Sequence, residues 1–209
     1  MHAEQELSKF LDEHLYQELL KEGKFTSFER VSDIEMQKQG IDVIGQTEDN
    51  KICRIDEKAQ LHYINHTRPT FAFELEFLLS GQAFEGWFLN NGLETTHYLL
   101  LWPNARTDKL EQIVSDDFTN GEGMMISKRK LKKHLESIGL SDEFLEDKTK
   151  QLREHGASGS QKPFCDGIKL YVSSTYPENP INLVISKRIL AQLADAHYMI
   201  SQHGFSRIE

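Results

Sequence analysis

Cysteine is nearly absent from this chain. Cys53 and Cys165 are the only two in 209 residues, and with no Cys-x-x-Cys pair there is no cysteine framework for a zinc site. Both read as reduced intracellular thiols, Cys53 on the core face of a strand. Nothing approaches the ~18 consecutive apolar residues of a membrane span, and no basic region followed by an apolar run marks a secretory signal. The expectation is a cytoplasmic protein without membrane contact. Cations are also short: 24 Lys and Arg face 33 Asp and Glu, for a net charge of -9. That argues against a protein that coats nucleic acid nonspecifically, because phosphate binding draws on lysine and arginine. It does not exclude a nuclease, in which local basic patches and a bound cation neutralise phosphate at the site alone. No internal repeat and no coiled-coil heptad stands out.

What is present suits one globular domain over 1–209, with 38% hydrophobic residues to build its core. Leu7, Phe10, Leu11, Leu15, Leu19 and Leu20 recur at helical spacing between charged residues, giving an amphipathic helix over 4–22. Its apolar stripe suits core packing, and a homodimer contact would look the same in sequence.

The chemistry-bearing stretch runs from Asp33 to Gln60. VSDIEMQKQG reads as a short helix with Asp33 and Gln37 one turn apart, closed by Gly40 where a left-handed C-cap is commonly needed. IDVIG and KICRIDEKAQ read as two strands of a hairpin turning at QTEDN. Strand alternation sets Ile52, Arg54, Asp56, Lys58 and Gln60 on one face and Cys53, Ile55, Glu57 and Ala59 on the other. Asp56 and Lys58 therefore project side by side, and the hairpin brings Asp42 near Asp56. Paired carboxylates beside an ammonium are suited to Mg²⁺, which takes one or two carboxylates plus water and substrate phosphate.

Gly40-Ile41-Asp42 followed by Asp56-Glu57-Lys58 resembles the PD-(D/E)XK nuclease superfamily. The motif covers residues 33 to 60, and the later order of elements is compatible with it. No proline precedes Asp42, a departure common in the superfamily. The resemblance implies a restriction-endonuclease-like α/β fold, a central mixed β-sheet flanked by α-helices. It also implies Asp42 and Asp56 as metal-binding acids, Lys58 as the catalytic lysine, Asp33 as an added helix acid in the metal shell, and Gln60 as a weaker candidate on the same face. The cofactor would be Mg²⁺, with Mn²⁺ as a substitute, and the substrate DNA, with RNA left open. The competing readings are a noncatalytic nucleic-acid-binding or protein-interaction protein of nuclease-like fold, and an unrelated α/β protein whose acidic hairpin is structural.

Further along, FAFELEFLL alternates as a half-buried strand with Glu74 and Glu76 towards solvent. His62 and His66 stand at a four-residue separation that would put both on one side of a helix as metal ligands, but the local sequence is strand-like and breaks at Pro69, so they read as polar loop histidines. GWFLNNGLETTHYLLLWPNAR reads as a strand, an Asn90-Asn91-Gly92 turn and a second strand ending at Pro103. Trp87 and Trp102 fit core packing, and base stacking is the functional alternative. SKRKLKKHLESIG reads as an amphipathic helix with Leu131, Leu135 and Ile138 inward. Its Lys128, Arg129, Lys130, Lys132 and Lys133 are the densest basic cluster, either a phosphate-tracking patch or a solvated face. SDEFLEDKTKQLREHG is a helix capped by Ser141, ASGSQKP has the composition of a mobile loop, GIKLYVSS is a strand and YPENP a turn. INLVISKRILAQLADAHYMI reads as a last strand leading into a closing helix.

Overall fold

A computed structural model describes residues 2–174 and 177–208. The chain is α/β and divides into two compact units, one comprising 1–68, 94–128 and 194–209, the other 69–93 and 129–193. Elements are numbered along the chain.

The first unit carries a mixed seven-stranded sheet. Its strands are β1 (Phe25–Arg30), β2 (Val43–Thr47), β3 (Ile52–Ala59), β6 (His97–Ala105), β7 (Phe118–Ser127), β11 (Ala196–Ser201) and β12 (Gly204–Arg207), side by side in that order. All neighbours are antiparallel except β3 and β6, which run parallel with Asp56 opposite Tyr98. A parallel pair cannot be closed by a tight turn, and here the connection leaves the sheet altogether to supply residues 69–93 to the second unit. The N-terminal segment is helical as its spacing requires: α1 (His2–Leu11), a π-turn (Asp12–Tyr16) and α2 (Gln17–Lys21). Its buried Leu7, Phe10, Leu11, Leu15 and Leu19 join Val43, Ile55, Leu99, Leu101 and Ile200 of the sheet in one apolar core. The stripe read from the sequence is thus spent on packing.

α3 (Ile34–Lys38) is the short helix before the hairpin. Gly40 follows with φ 74°, a backbone conformation that glycine adopts without steric cost. β2 and β3 pair as expected, Val43 opposite Ile55, and Asn50 in the connecting turn has φ 59°.

The second unit holds a five-stranded sheet, ordered β5 (Gln82–Glu85), β4 (Thr70–Leu79), β10 (Ile181–Ser186), β9 (Ile168–Val172), β8 (Gly159–Ser160), together with α4 (Lys128–Ser137), α5 (Asp142–Glu154) and α6 (Lys187–Leu193). Ser141 caps α5 through its hydroxyl, which accepts from the Phe144 N–H. Glu76 is not merely solvated, since Arg153 holds it at 2.6 Å.

Several sequence readings are corrected. Residues 86–89 form a turn rather than a strand: the Gly86 and Phe88 N–H groups bond back to Leu75 and Glu74 carbonyls, and Gly86 lies so close to the Glu74 backbone that a Cβ would stand 2.5 Å from its carbonyl oxygen. β6 continues past Pro103 to Ala105. Ile138 is 42% exposed, because it falls beyond the last turn of α4, where Gly139 reverses the chain at φ 82°. Part of ASGSQKP is ordered as β8 against β9. The closing helix stops at Leu193, and Ala196–Ser201 joins β7 as β11 instead. In the YPENP turn, Tyr176 lies outside the described residues. β1, β5, β7 and β12 are strands that the sequence reading leaves unassigned. No helix among the described residues is long and apolar enough to cross a membrane.

Candidate active site

Asp42 and Asp56 meet because β2 and β3 are in the register their sequences suggest. The Asp42 N–H donates to the Ile55 carbonyl at 2.9 Å, and one Asp42 carboxylate oxygen accepts from the Glu57 N–H at 2.8 Å. That second bond fixes the carboxylate over the middle of β3. Lys58 Nζ lies 2.7 Å from Asp56 Oδ1, with 28% of its side chain exposed against 3% for Asp56.

The other carboxylate oxygen of Asp56, Oδ2, is buried with no hydrogen-bond partner. Burial pushes the Asp56 carboxyl up to about 7, against the pull of Lys58, and the nearby Asp42 carboxylate raises it further. An oxygen left in this condition is costly to the fold.

A cleft of about 280 Å³ opens at this point, lined by Asp42, Asp56, Glu57 and Lys58 from the hairpin, Gln37 and Gly40 from α3 and its cap, and Glu4, Leu7 and Ser8 from α1. A second cavity of about 470 Å³ shares Ser8, Gln37 and Asp42 and continues to Arg30 and Ser32. Gln37 itself is held by a bond from Nε2 to the Val31 carbonyl at 2.9 Å.

A polar cluster invisible to motif reading borders the cleft at Ser8 and Glu57 and the adjoining cavity at Arg30. Glu57 points to the opposite side of β3 from Asp56, where an unpaired acid would be untenable. Arg30 supplies the charge, with its Nη1 2.5 Å and Nη2 3.1 Å from the two Glu57 oxygens, and the Tyr16 hydroxyl donates to Glu57 at 2.9 Å. The same guanidinium reaches Asp12 at 2.6 Å and the Ser8 carbonyl at 3.3 Å. Asp12 and Tyr16 begin and end the π-turn, whose wider winding is often found at functional positions. Burial pushes Glu57 above the usual carboxylate range even with Arg30 attached, and it raises the Tyr16 phenol likewise.

Of the residues singled out from sequence, Asp42, Asp56 and Lys58 converge. Asp33 does not join them. Its Oδ1 accepts from the N–H groups of Glu35 and Met36 at 2.8 and 3.0 Å, so its carboxylate is the exposed N-cap of α3. Replacing Asp33 with Ala is expected to cost about 1 kcal/mol in urea denaturation while leaving any activity of the cleft within twofold. Gln60 is not among the cleft's lining residues; its N–H bonds to the Leu101 carbonyl at 3.0 Å. Glu4, Ser8, Arg30 and Glu57 are the residues that sequence reasoning missed. Glu57 alone left a signal: strand alternation points it at the apolar side, which demands a cation there.

In the basic cluster, Lys132 is committed to Asp142 at 2.6 Å and to Asn91 at 3.2 Å, with Phe88 beneath it. Arg129, Lys130 and Lys133 are exposed, and Lys128 is half-buried. Trp102 is buried, and Trp87 packs against Phe73 and Phe88.

No cluster of three or more His, Cys, Asp or Glu side chains suited to a metal occurs among the described residues. Compared with protein-family models, curated proteins and solved structures, the chain matches none.

Proposed function

We propose that the protein is a metal-dependent nuclease of restriction-endonuclease-like fold that hydrolyses phosphodiester bonds in DNA. The observation that carries this reading is the Asp56 oxygen buried without a hydrogen-bond partner beside Asp42 and flanked by Lys58. A purely structural acid would be expected to have its lone pairs satisfied.

The donor set fits a hard divalent cation. Asp42 and Asp56 would hold Mg²⁺, or Mn²⁺ in its place, with water and phosphate oxygens completing the shell as Mg²⁺ commonly requires. When bound, the ion supplies Lewis-acid charge and lowers the pKa of a coordinated water. Lys58 is exposed enough to reach a phosphate oxygen, and its ammonium offsets negative charge building on the reacting phosphate. The Glu57 N–H keeps the Asp42 carboxylate aimed at the cleft. DNA is preferred to RNA on the resemblance alone.

A noncatalytic nucleic-acid-binding or protein-interaction role is the second reading, favoured by the lack, among the described residues, of a group of three His, Cys, Asp or Glu suited to a metal. Incubation of linear, circular, single-stranded and branched DNA with Mg²⁺, Mn²⁺ or chelator decides between them. Metal-dependent cutting by wild type, lost in both Asp42→Ala and Lys58→Ala, is the expected outcome. Folded wild type that cuts none of these substrates would sink the nuclease.

A further inference from the structure

We propose that Tyr63 and Arg68 form a stacking platform for an unpaired nucleobase beside the cleft, so that the substrate is single-stranded DNA or DNA with a single-stranded tail. The inference rests on the nuclease reading for its scissile phosphate and on separate residues for its base.

The Arg68 guanidinium lies 4.2 Å from the centroid of the Tyr63 ring, and the tyrosine is nevertheless 39% exposed. Among the large exposed hydrophobic side chains of the first unit, Tyr63 is the only aromatic one described. The two tryptophans that the sequence offers for stacking are both spent on packing.

The loop that presents Tyr63 is fixed. Leu61 and Ile64 are buried in the core on either side of it. The Asn65 side chain accepts from the Ala105 N–H at 2.8 Å, and the Asn65 N–H bonds to the Pro103 carbonyl at 3.3 Å, with Asn65 itself at φ 63°. Such anchoring lets a ring receive a base without first being ordered, which is where much binding energy is otherwise lost.

Position and charge agree. Tyr63 follows Lys58 by five residues, through Gln60 at φ −83° and ψ 57° and a single 3₁₀ turn over Leu61–Tyr63, so their Cα atoms lie no more than ~17 Å apart. A base on the ring would therefore lie within about three nucleotides of the Asp42–Asp56–Lys58 group. No acidic residue occurs between Glu57 and Glu74 in this otherwise acidic chain, so the approach to Tyr63 carries no carboxylate of its own segment to repel a phosphate. A ring whose partner is a planar cation favours a planar, electron-rich ligand such as a nucleobase. A paired base is already stacked on its neighbours and would have to leave the duplex to reach it.

The test is binding of labelled oligothymidylate, an abasic strand of equal length and a blunt duplex in chelator, where no cleavage occurs. Wild type, Tyr63→Leu, Tyr63→Phe and Arg68→Met are compared, with thermal melts showing that each is folded. The expected result is roughly tenfold weaker binding of oligothymidylate by Tyr63→Leu, retention by Tyr63→Phe, weakening by Arg68→Met, and no Tyr63 dependence for the abasic strand or the duplex. Equal affinity of wild type and Tyr63→Leu for oligothymidylate, or no binding by wild type, overturns the platform. Cleavage with Mg²⁺ by a protein indifferent to Tyr63 would leave the nuclease standing and remove the platform. Tyr63-dependent binding without cleavage of any substrate would do the reverse.

Discussion

Asp56→Asn is expected to abolish DNA cleavage and, in the same protein, to raise stability at neutral pH. The folded state holds the Asp56 carboxyl at about 7 against an ordinary value of 3.8, with burial as the main cause and Asp42 adding to it. Between those values the folded protein binds more protons than the unfolded chain, so stability is fullest below about pH 4 and declines as pH rises through 7. The interval corresponds to about 4 kcal/mol at its limit, with the attraction of Lys58 already included. Asparagine keeps the shape and removes the titration. Unfolding free energies from urea denaturation in chelator should coincide for wild type and variant near pH 4, separate steadily to pH 7 and run parallel above it. Curves that stay parallel throughout would mean that Asp56 ionises freely in the fold. Cleavage should fall by about 10³-fold or more, as for loss of a carboxylate that would hold the metal ion. Because a proton and a cation compete for the same oxygens, Mg²⁺ affinity of wild type should weaken below pH 7.

The second large effect belongs to Arg30. Its guanidinium serves Glu57 and Asp12 together, at 2.5 and 2.6 Å, and Glu57 keeps only 8% of its side chain exposed. Arg30→Met removes the cation and leaves the carboxylate buried, for which a loss of about 3–5 kcal/mol is expected in urea denaturation. Lysine should rescue only part of this, since a point charge cannot replace two parallel N–H bonds. Adding Glu57→Gln to Arg30→Met should recover much of the loss, because the neutral amide can still accept from Tyr16. If Arg30→Met and the double variant are equally unstable, the ion pair is not what the cluster contributes. Asp42 is aimed by the backbone N–H of Glu57, which Glu57→Gln retains, so any cleavage by the double variant should recover along with its fold.

How much of this was legible in the sequence follows from the range of the interactions. Asp42, Asp56 and Lys58 are joined by a single hairpin, and the alternation of a strand is enough to put them together. Asp33 was misplaced for the opposite reason: an aspartate at the start of a helix can cap its own backbone, and that short-range bond took the carboxylate away from the site. Glu4, Ser8 and Arg30 depend on where α1 settles on the sheet, and nothing in an amphipathic stripe states which sheet residues it will meet. FTSFER was passed over because its alternation is weak, with Thr26 and Ser27 where a strand more often shows branched apolar residues. The end of the chain misled because ILAQLADAHYMI carries helical residues as far as Ala194, while pairing with β7 decides the remainder.

The interleaving of the two units bears on how the chain is made. β4 is synthesised early, yet its central partner β10 begins only at Ile181, and β7 waits for β11 at Ala196. A growing chain emerging at ~5–20 residues per second therefore cannot finish one unit and then begin the other; neither sheet is complete until the strands from Ile181 onward have emerged. Until then β4, with its run of phenylalanines, lacks its partner on one side and is an open edge of the kind that invites pairing between chains. Removing Ala196–Arg207 would strip β7 of its neighbour on that side, so a change late in the sequence should be felt by a strand laid down well before it.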